Sequence, residues 1–481
     1  MSTHAPEVSN FAGHLATVGR AVDEWLASDM PDAFSSEVDW QSALSGPAPQ
    51  HGIGADATIE EYVRLIVAHG QRLTSPTSWG WITTGPTTVP SVVAAGAMAA
   101  APQRQTVSAF HQAEELSLEW LAELCGLAPH MRGVYSSGGS TANLVALGAA
   151  RQHALECAGY DASDLGLDGR RLAVYTSSQA HHTVQRAAGV LGIGRSSVRS
   201  IPVDADRRMD LGALAEALDR DTRAGILPVA VVAAAGTTNT GAIDPLRGVG
   251  DLAHAHGAWF HVDGAYGLPG ILDERVAPLY DGLELADSAI TDPHKWLGAP
   301  VGVAATFVRD RSILHRAFTQ EPADYLEGAF ASDDVQSTLD SMGIPYFDFG
   351  VELSAPSRGV MIWAILRELG VEGLRARIVA DNDFARYVAA YAREHPRLEV
   401  LAEPVLSICG FRYRTDADCD WDSVNSQILR RLARETSIVV SSTFVDGSYV
   451  LRPCFINART TTAHVDEFLA TVLRFGDDLT S

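Results

Sequence analysis

The apolar positions of this 481-residue chain change period along its length, and the elements they predict change with them. In NFAGHLATVGRAVDEWLASD, residues 10–29, Phe11, Leu15, Val18, Val22, Trp25 and Leu26 recur at helical spacing. TIEEYVRLIVAHGQRL, residues 58–73, repeats the pattern after a Gly/Pro-rich connector. These first ninety residues carry too little apolar surface to fold alone and are expected to pack on something larger. From about residue 130 to 310, short apolar runs alternate with amphipathic helices. RLAVYTS (171–177), LPVAVVAAAG (227–236), AWFHVD (258–263), SAITD (288–292) and GVAATFVR (302–309) read as buried strands, with helices such as NLVALGAARQHAL and DPLRGVGDLAHAHG between them. That alternation predicts an α/β domain built on a mainly parallel sheet covered on both faces. A helical stretch from Arg358 leaves this domain. The remainder, with SICGFRYR and the hairpin STFVDGSYVLRPCF turning at Asp446-Gly447, predicts a small α+β domain. The expected division is 1–90, 91–367 and 368–481.

Composition narrows the function classes. A formal charge of −23 argues against a nucleic-acid groove or an anionic membrane as partner. The longest small-apolar run, VPSVVAAGAMAAAP at 89–102, is broken by glycine and too short to span a bilayer. The N-terminal stretch lacks the basic start and apolar centre of a secretory signal. Five cysteines, odd in number and scattered, show neither CxxC nor zinc spacing and suit reduced thiols, so a cytoplasmic protein without a bound metal is expected.

One residue changes the picture further. TDPHKWLG, residues 291–298, contains the only lysine, Lys295; the other 35 basic residues are arginines. Arginine serves ion pairing as well as lysine, but it cannot lose its proton and attack a carbonyl. A lone lysine is therefore a candidate amine nucleophile.

Other unusual stretches fall at predicted strand ends, where α/β sheets bind ligands. In SSGGSTANLVALGAAR (136–151), Gly138, Gly139, Ser140 and Thr141 lead into a helix and could cradle a phosphate at its N-terminus, although such turns also simply cap helices. In SSQAHHTV (177–184), His181 and His182 could stack on a flat aromatic ligand; a metal pair is the alternative, but no third ligand is evident. In WFHVDGAYG (259–267), Asp263 is either a satisfied cap or the partner of a protonated ring nitrogen. GTTNTGAIDP (236–245) adds Thr237 and Thr238. A phosphate cradle, a stacking histidine, a carboxylate and one imine-forming lysine together are what pyridoxal 5′-phosphate requires.

HKW after a strand, HVDGAYG some thirty residues earlier, QAHHTVQRAAGVLG before that, and YVLRPCFINARTT near the C-terminus occur in a familiar order. The chain resembles the group II pyridoxal-phosphate-dependent amino-acid decarboxylases, which include the aromatic-L-amino-acid, glutamate and cysteine-sulfinate enzymes. The resemblance implies the aspartate-aminotransferase fold (fold type I), with a seven-stranded type of sheet, in homodimers whose N-terminal helices embrace the partner. It implies that Lys295 is the Schiff-base lysine, with His294 beside it. Asp263 would pair with the pyridine nitrogen, Ala265 would lie against one ring face and His181 against the other. Gly139, Ser140 and Thr141 would hold the phosphate, with Thr237 or Thr238 near the ring substituents. Tyr325, in QEPADYLEGAF (320–330), resembles the family's loop tyrosine, which returns a proton to the substrate's α-carbon. Relatives with phenylalanine there form aldehydes instead.

Departures from the family pattern, Gly264 where alanine is usual and Ser75-Pro76 where His-Pro is common, lie near substrate-facing regions. Trp79, Trp81 and Phe110 are candidate pocket aromatics. The expected reaction is decarboxylation of an aromatic or large neutral L-amino acid. An acidic or aliphatic substrate, an aldehyde synthase, an aminotransferase and a non-catalytic cofactor-binding protein are the alternatives.

Overall fold

The computed structural model describes residues 10–27, 40–70, 72–102, 108–319 and 343–481. Among these residues the strands, in chain order, are β1 (Ser78–Trp79), β2 (Arg132–Ser136), β3 (Leu172–Ser177), β4 (Val198–Ile201), β5 (Leu227–Ala234), β6 (Trp259–Asp263), β7 (Ser288–Thr291), β8 (Ala304–Val308), β9 (Leu398–Ala402), β10 (Gly410–Tyr413), β11 (Val439–Val445) and β12 (Ser448–Arg452).

Seven of them form the larger sheet in the order β2-β8-β7-β6-β5-β3-β4. Its pairs from β7 through β6, β5 and β3 to β4 are parallel, and β8 runs antiparallel to both β2 and β7. The sequence expectation of a mainly parallel seven-stranded sheet is met. β5 is buried from Pro228 to Ala234, which is why it reads as a continuous apolar run: helices cover both faces, so no position alternates to solvent. The helix Gly139–Cys157 packs across β5 to β8. Its eleven buried residues include five alanines and Gly148, small enough for close approach to the sheet.

The smaller sheet has the order β1-β11-β12-β10-β9, antiparallel except that β1 pairs parallel with β11. The β11–β12 hairpin turns at Asp446 and Gly447, both at positive φ, as the Asp-Gly signal predicts. Helices Trp421–Glu435 and Thr462–Thr480 complete this unit. The helix Gly359–Glu394 links the two units and is interrupted at Gly370, whose φ of +63° lies outside the helical region. Its Ile362, Ile365, Leu374 and Ile378 join the large core, whereas Ala385, Val388, Ala389 and Ala392 join the small one. The switch between cores thus lies beyond residue 367, inside a helix. At the other end of the chain, the helix Phe11–Leu26 has no buried residue. Among the described residues no helix is long and apolar enough to cross a membrane.

Candidate active site

Because β2 and the parallel strands run the same way, their carboxyl ends share one edge of the sheet. The turns after β2, β3, β5 and β7, and the end of β6, open there on a cavity of about 610 Å³. The structure brings Gly139, Ser140, Thr141, His181, Thr237, Thr238, Asp263, Ala265, His294 and Lys295 to its lining. Tyr325 lies outside the described residues.

The aromatic candidates separate. Trp81 and Ile82 line the cavity, and Trp81 is half-exposed at a φ of +56°. Trp79 does not: β1 carries it into the small core, where it packs on Phe455 and Phe468 and its indole N–H donates to Thr460 Oγ1 at 2.9 Å. Phe110 is not a lining residue either. Both are corrections to the sequence reading.

Lys295 Nζ lies 3.0 Å from Asp292 Oδ2. Asp292 is buried, and its Oδ1 accepts no hydrogen bond from the described residues. The same carboxylate packs under the glycine turn: a Cβ on Gly139 would stand 2.6 Å from Asp292 Oδ2, so only glycine fits there without a shift. Gly139 opens the helix Gly139–Cys157; the Thr141 and Ala142 N–H groups go to Gly138 O, which leaves those of Gly139 and Ser140 without an acceptor in the helix and suited to an anion. His294 donates from Nδ1 to Val303 O at 2.6 Å.

Across the cavity, Asp263 ends β6 with one oxygen accepting from Asn143 Nδ2 at 3.0 Å and the other from Ala265 N at 3.2 Å. Gly264 is more than a minor departure. A Cβ there would meet Leu268 Cβ at 2.5 Å and Ile290 O at 3.0 Å, so this chain's backbone sits closer to β7 than an alanine would permit.

His181 accepts at Nδ1 from Thr183 N at 3.4 Å and pairs there with Thr183 Oγ1 at 2.9 Å. Burial holds its pKa below the ordinary histidine value, opposed by the nearby Asp263 carboxylate, so the ring is neutral at pH 7. The His181 and His182 rings are 4.2 Å apart and tilted, and the described residues contain no group of three ligands that would make them a metal site. The Thr237 hydroxyl is engaged in its own turn, with Ala242 N and Thr240 Oγ1. Arg452, 3% exposed, donates to Asn239 O, Trp81 O, Ser441 Oγ and Thr238 O and so fixes the wall around Trp81.

The residues present fit pyridoxal 5′-phosphate. The glycine turn has room for backbone approach, and the lysine amine and the Asp263 carboxylate line the same space of ligand size. The sheet topology with this site defines the class, a fold type I pyridoxal-phosphate-dependent enzyme. The pyridoxal-dependent decarboxylase conserved domain matches residues 56–414, and the chain belongs to that family. It is a pyridoxal-phosphate-dependent amino-acid decarboxylase. It is 32% identical over 372 residues to the aromatic-L-amino-acid decarboxylase of Bacillus atrophaeus, covering 76% of this chain and 74% of that one. It is 32% identical over 437 residues to the L-2,4-diaminobutyrate decarboxylase of Rhizobium meliloti (strain 1021), covering 89% and 83%. The crystal structure of Oryza sativa TDC with PLP and tryptamine superposes with a TM-score of 0.90 at 26% identity, covering all of both chains.

Sequence reasoning passed over Asn143, Thr183 and His261, and gave Arg452 no role. A signal existed for two of them. His261 and Asp263 are two apart in a strand and share a face. Asn143 is the one amide in the otherwise small and apolar stretch ANLVALGAA, one helical turn from Gly139.

Proposed function

We propose that this chain converts an aromatic L-amino acid to its amine and carbon dioxide, as a cytoplasmic homodimer. The observation that carries the aromatic reading is the cavity wall at Trp81, Ile82 and Val301, where an indole is held half-exposed through its own carbonyl by Arg452. A bulky residue at positive φ is costly and persists only when its surroundings fix it. The four donor contacts of Arg452 all go to neutral acceptors of the wall, which leaves it poorly placed to grip an acidic side chain. Among the described lining residues the carboxylates are Asp263 and Asp292, both assigned here to the cofactor, which leaves no described carboxylate to select a second substrate amine. The aromatic-L-amino-acid decarboxylase relative supports the same reading.

Bound pyridoxal 5′-phosphate supplies a sink for the electron pair left at the α-carbon when carbon dioxide departs. Lys295 offers the amine that tethers the cofactor, and Asp292 holds that amine in place. The turn at Gly139, Ser140 and Thr141 would hold the cofactor's phosphate, Asp263 would pair with its ring nitrogen, and Ala265 would pack against its ring. The neutral His181 stacks opposite and keeps an Nε2–H to donate to substrate. Tyr325 returns the proton to the α-carbon.

The dimer reading rests on apolar exposure next to the site. Val301 is 71% exposed and Met98 75% exposed, and both line an apolar groove of about 560 Å³ beside the cavity. A second copy on this face would cover that groove, and the helix Phe11–Leu26, which has no fully buried residue in its own chain, offers further apolar surface to a partner. Five cysteines without a disulfide suit the cytoplasm.

The test is turnover of the purified protein on a panel of L-amino acids, with carbon dioxide and amine both measured. Tryptophan, tyrosine, phenylalanine or 3,4-dihydroxyphenylalanine should lead. Trp81→Ala should raise their KM roughly 10-fold with a smaller change in kcat, through lost aromatic contact. A preference for glutamate or 2,4-diaminobutyrate would overturn the aromatic reading. Sedimentation as an active monomer would overturn the dimer.

A further inference from the structure

Asn143 is 1% exposed and lies on the helix that also forms the phosphate turn. Its carboxamide touches three groups. Nδ2 donates to Asp263 Oδ2 at 3.0 Å and to Thr183 Oγ1 at 3.2 Å, and Oδ1 lies 2.9 Å from His261 Nε2. The orientation of the amide follows from its ends. A carboxylate only accepts, so the atom facing Asp263 is the NH2 group, and the carbonyl oxygen then faces His261. His261 must therefore carry its proton on Nε2. Burial disfavours a second proton on the ring, so its Nδ1, 2.8 Å from Ser288 Oγ, accepts, and Ser288 in turn accepts from Trp259 Nε1–H at 2.7 Å. On the other branch, Thr183 Oγ1 accepts from Asn143 and gives its own proton to His181 Nδ1, which also faces Thr183 N–H. His181 is left with its proton on Nε2.

We infer that Asn143, oriented by a neutral His261, is the positioning residue that fixes both the Asp263 carboxylate and the tautomer of His181. One amide thereby sets the two groups assigned to the ring nitrogen and to one face of the cofactor ring. The array contains no cation: its donors to Asp263 are an amide and a backbone N–H, so no protein cation within it competes with a ring N–H for the carboxylate. Burial pushes the His261 pKa down to about 4, in keeping with a neutral ring, although Asp263 opposes the shift. The inference rests on the reading of Asp263 as the ring-nitrogen partner and of His181 as the stacking residue.

The experiment is 15N NMR of the holoenzyme labelled at histidine, with the His181 and His261 signals assigned by their loss in His181→Gln and His261→Gln. Both residues should show a pyridine-type Nδ1 and a protonated Nε2 between pH 6 and 8. Asn143→Leu, close in size, should leave His181 as a mixture of tautomers, weaken the cofactor dissociation constant roughly 10-fold, and lower kcat by about 10- to 100-fold, the range seen when groups that orient an active-site ligand are removed. Asn143→Asp should weaken cofactor binding further, because it sets a second carboxylate against Asp263. A protonated Nδ1 on either histidine in the wild type overturns the inference without any variant needing to fold. An Asn143→Leu enzyme with wild-type cofactor affinity, kcat and His181 tautomer does so too. Failure of the parent reading looks different: Asp263→Asn would keep full turnover while the wild-type tautomers stayed as described.

Discussion

Lys295 Nζ stands 3.0 Å from Asp292 Oδ2, three residues back in the same turn, and that carboxylate's other oxygen has no hydrogen-bond partner among the described residues. The pair holds the amine in a defined place at the edge of the cavity. The carboxylate also lies directly beneath Gly139, so the amine and the phosphate turn share one support. An arginine at 295 could keep the ion pair but could not form the covalent link.

Lys295→Arg is therefore expected to fold and to lose the yellow absorbance of the bound cofactor, with turnover reduced at least roughly 10³-fold. An absorbance scan beside a carbon dioxide assay checks it. A coloured, active arginine variant would be fatal to the assignment.

Asp263→Asn keeps the shape at the end of β6 and removes the carboxylate proposed to face the ring nitrogen. We expect kcat to fall about 10³-fold with melting temperature little changed, and Asp263→Glu to recover part of the loss. Single-turnover kinetics on cofactor-loaded protein separates this from weaker cofactor binding. Unchanged turnover in the asparagine variant would reduce Asp263 to a cap on Ala265 N.

The parts of this architecture that the sequence made legible are those dictated by local pattern. The inner strands β3, β5, β6 and β7 are short, mainly apolar and almost wholly buried because both faces are covered, and their signal is strong. The edge strands β2 and β4 were missed. RGVYS and VRSI are short, and β4 keeps three of its four residues partly exposed or exposed. β1 was out of reach for another reason: it is two residues long and exists through pairing with β11, some 360 residues away. For that reason Trp79 and Trp81 looked alike in the sequence, although pairing turns one into the small core and leaves the other at the cavity. The cofactor residues stood out by type, lysine above all. The buried amide that connects them did not, because an asparagine's partners are decided by packing between a helix and a strand 120 residues apart.

Tyr325→Phe probes the fate of the α-carbon after carbon dioxide leaves. A phenol is protonated at neutral pH and can deliver a proton, which phenylalanine cannot. The variant should still release carbon dioxide, begin to consume oxygen, and shift its product from amine towards aldehyde, ammonia and peroxide. An oxygen electrode and product chromatography read this directly. Wild-type amine formation without oxygen uptake would move the proton donor elsewhere, with His181 next.

His261 gives a pH prediction whose sign can be worked out in advance. Its pKa in the folded protein is lowered by burial to about 4, against about 6.5 in an unfolded chain. The charged group acting on it is Asp263, which together with a hydrogen bond to the Ser288 backbone moderates the shift; its other partner, Asn143, is neutral. Between those two pKa values the unfolded chain binds a proton that the native state does not, so stability falls as pH drops through this window and is unaffected above it. The contribution is about 1.4 kcal/mol per pH unit, or about 3 kcal/mol over the whole range. Asp244 acts in the opposite sense, because burial raises its pKa to about 6 and its stabilising protonation grows as pH falls. Comparing wild type with His261→Gln removes that background, which both proteins share. Urea unfolding at pH 7, 5.5 and 4.5 should show the wild type losing its advantage over the glutamine variant steadily below pH 6.5. Parallel stability curves for the two proteins would mean that His261 takes up its proton in the native state as readily as in the unfolded chain, and the neutral ring required by the Asn143 array would then be wrong.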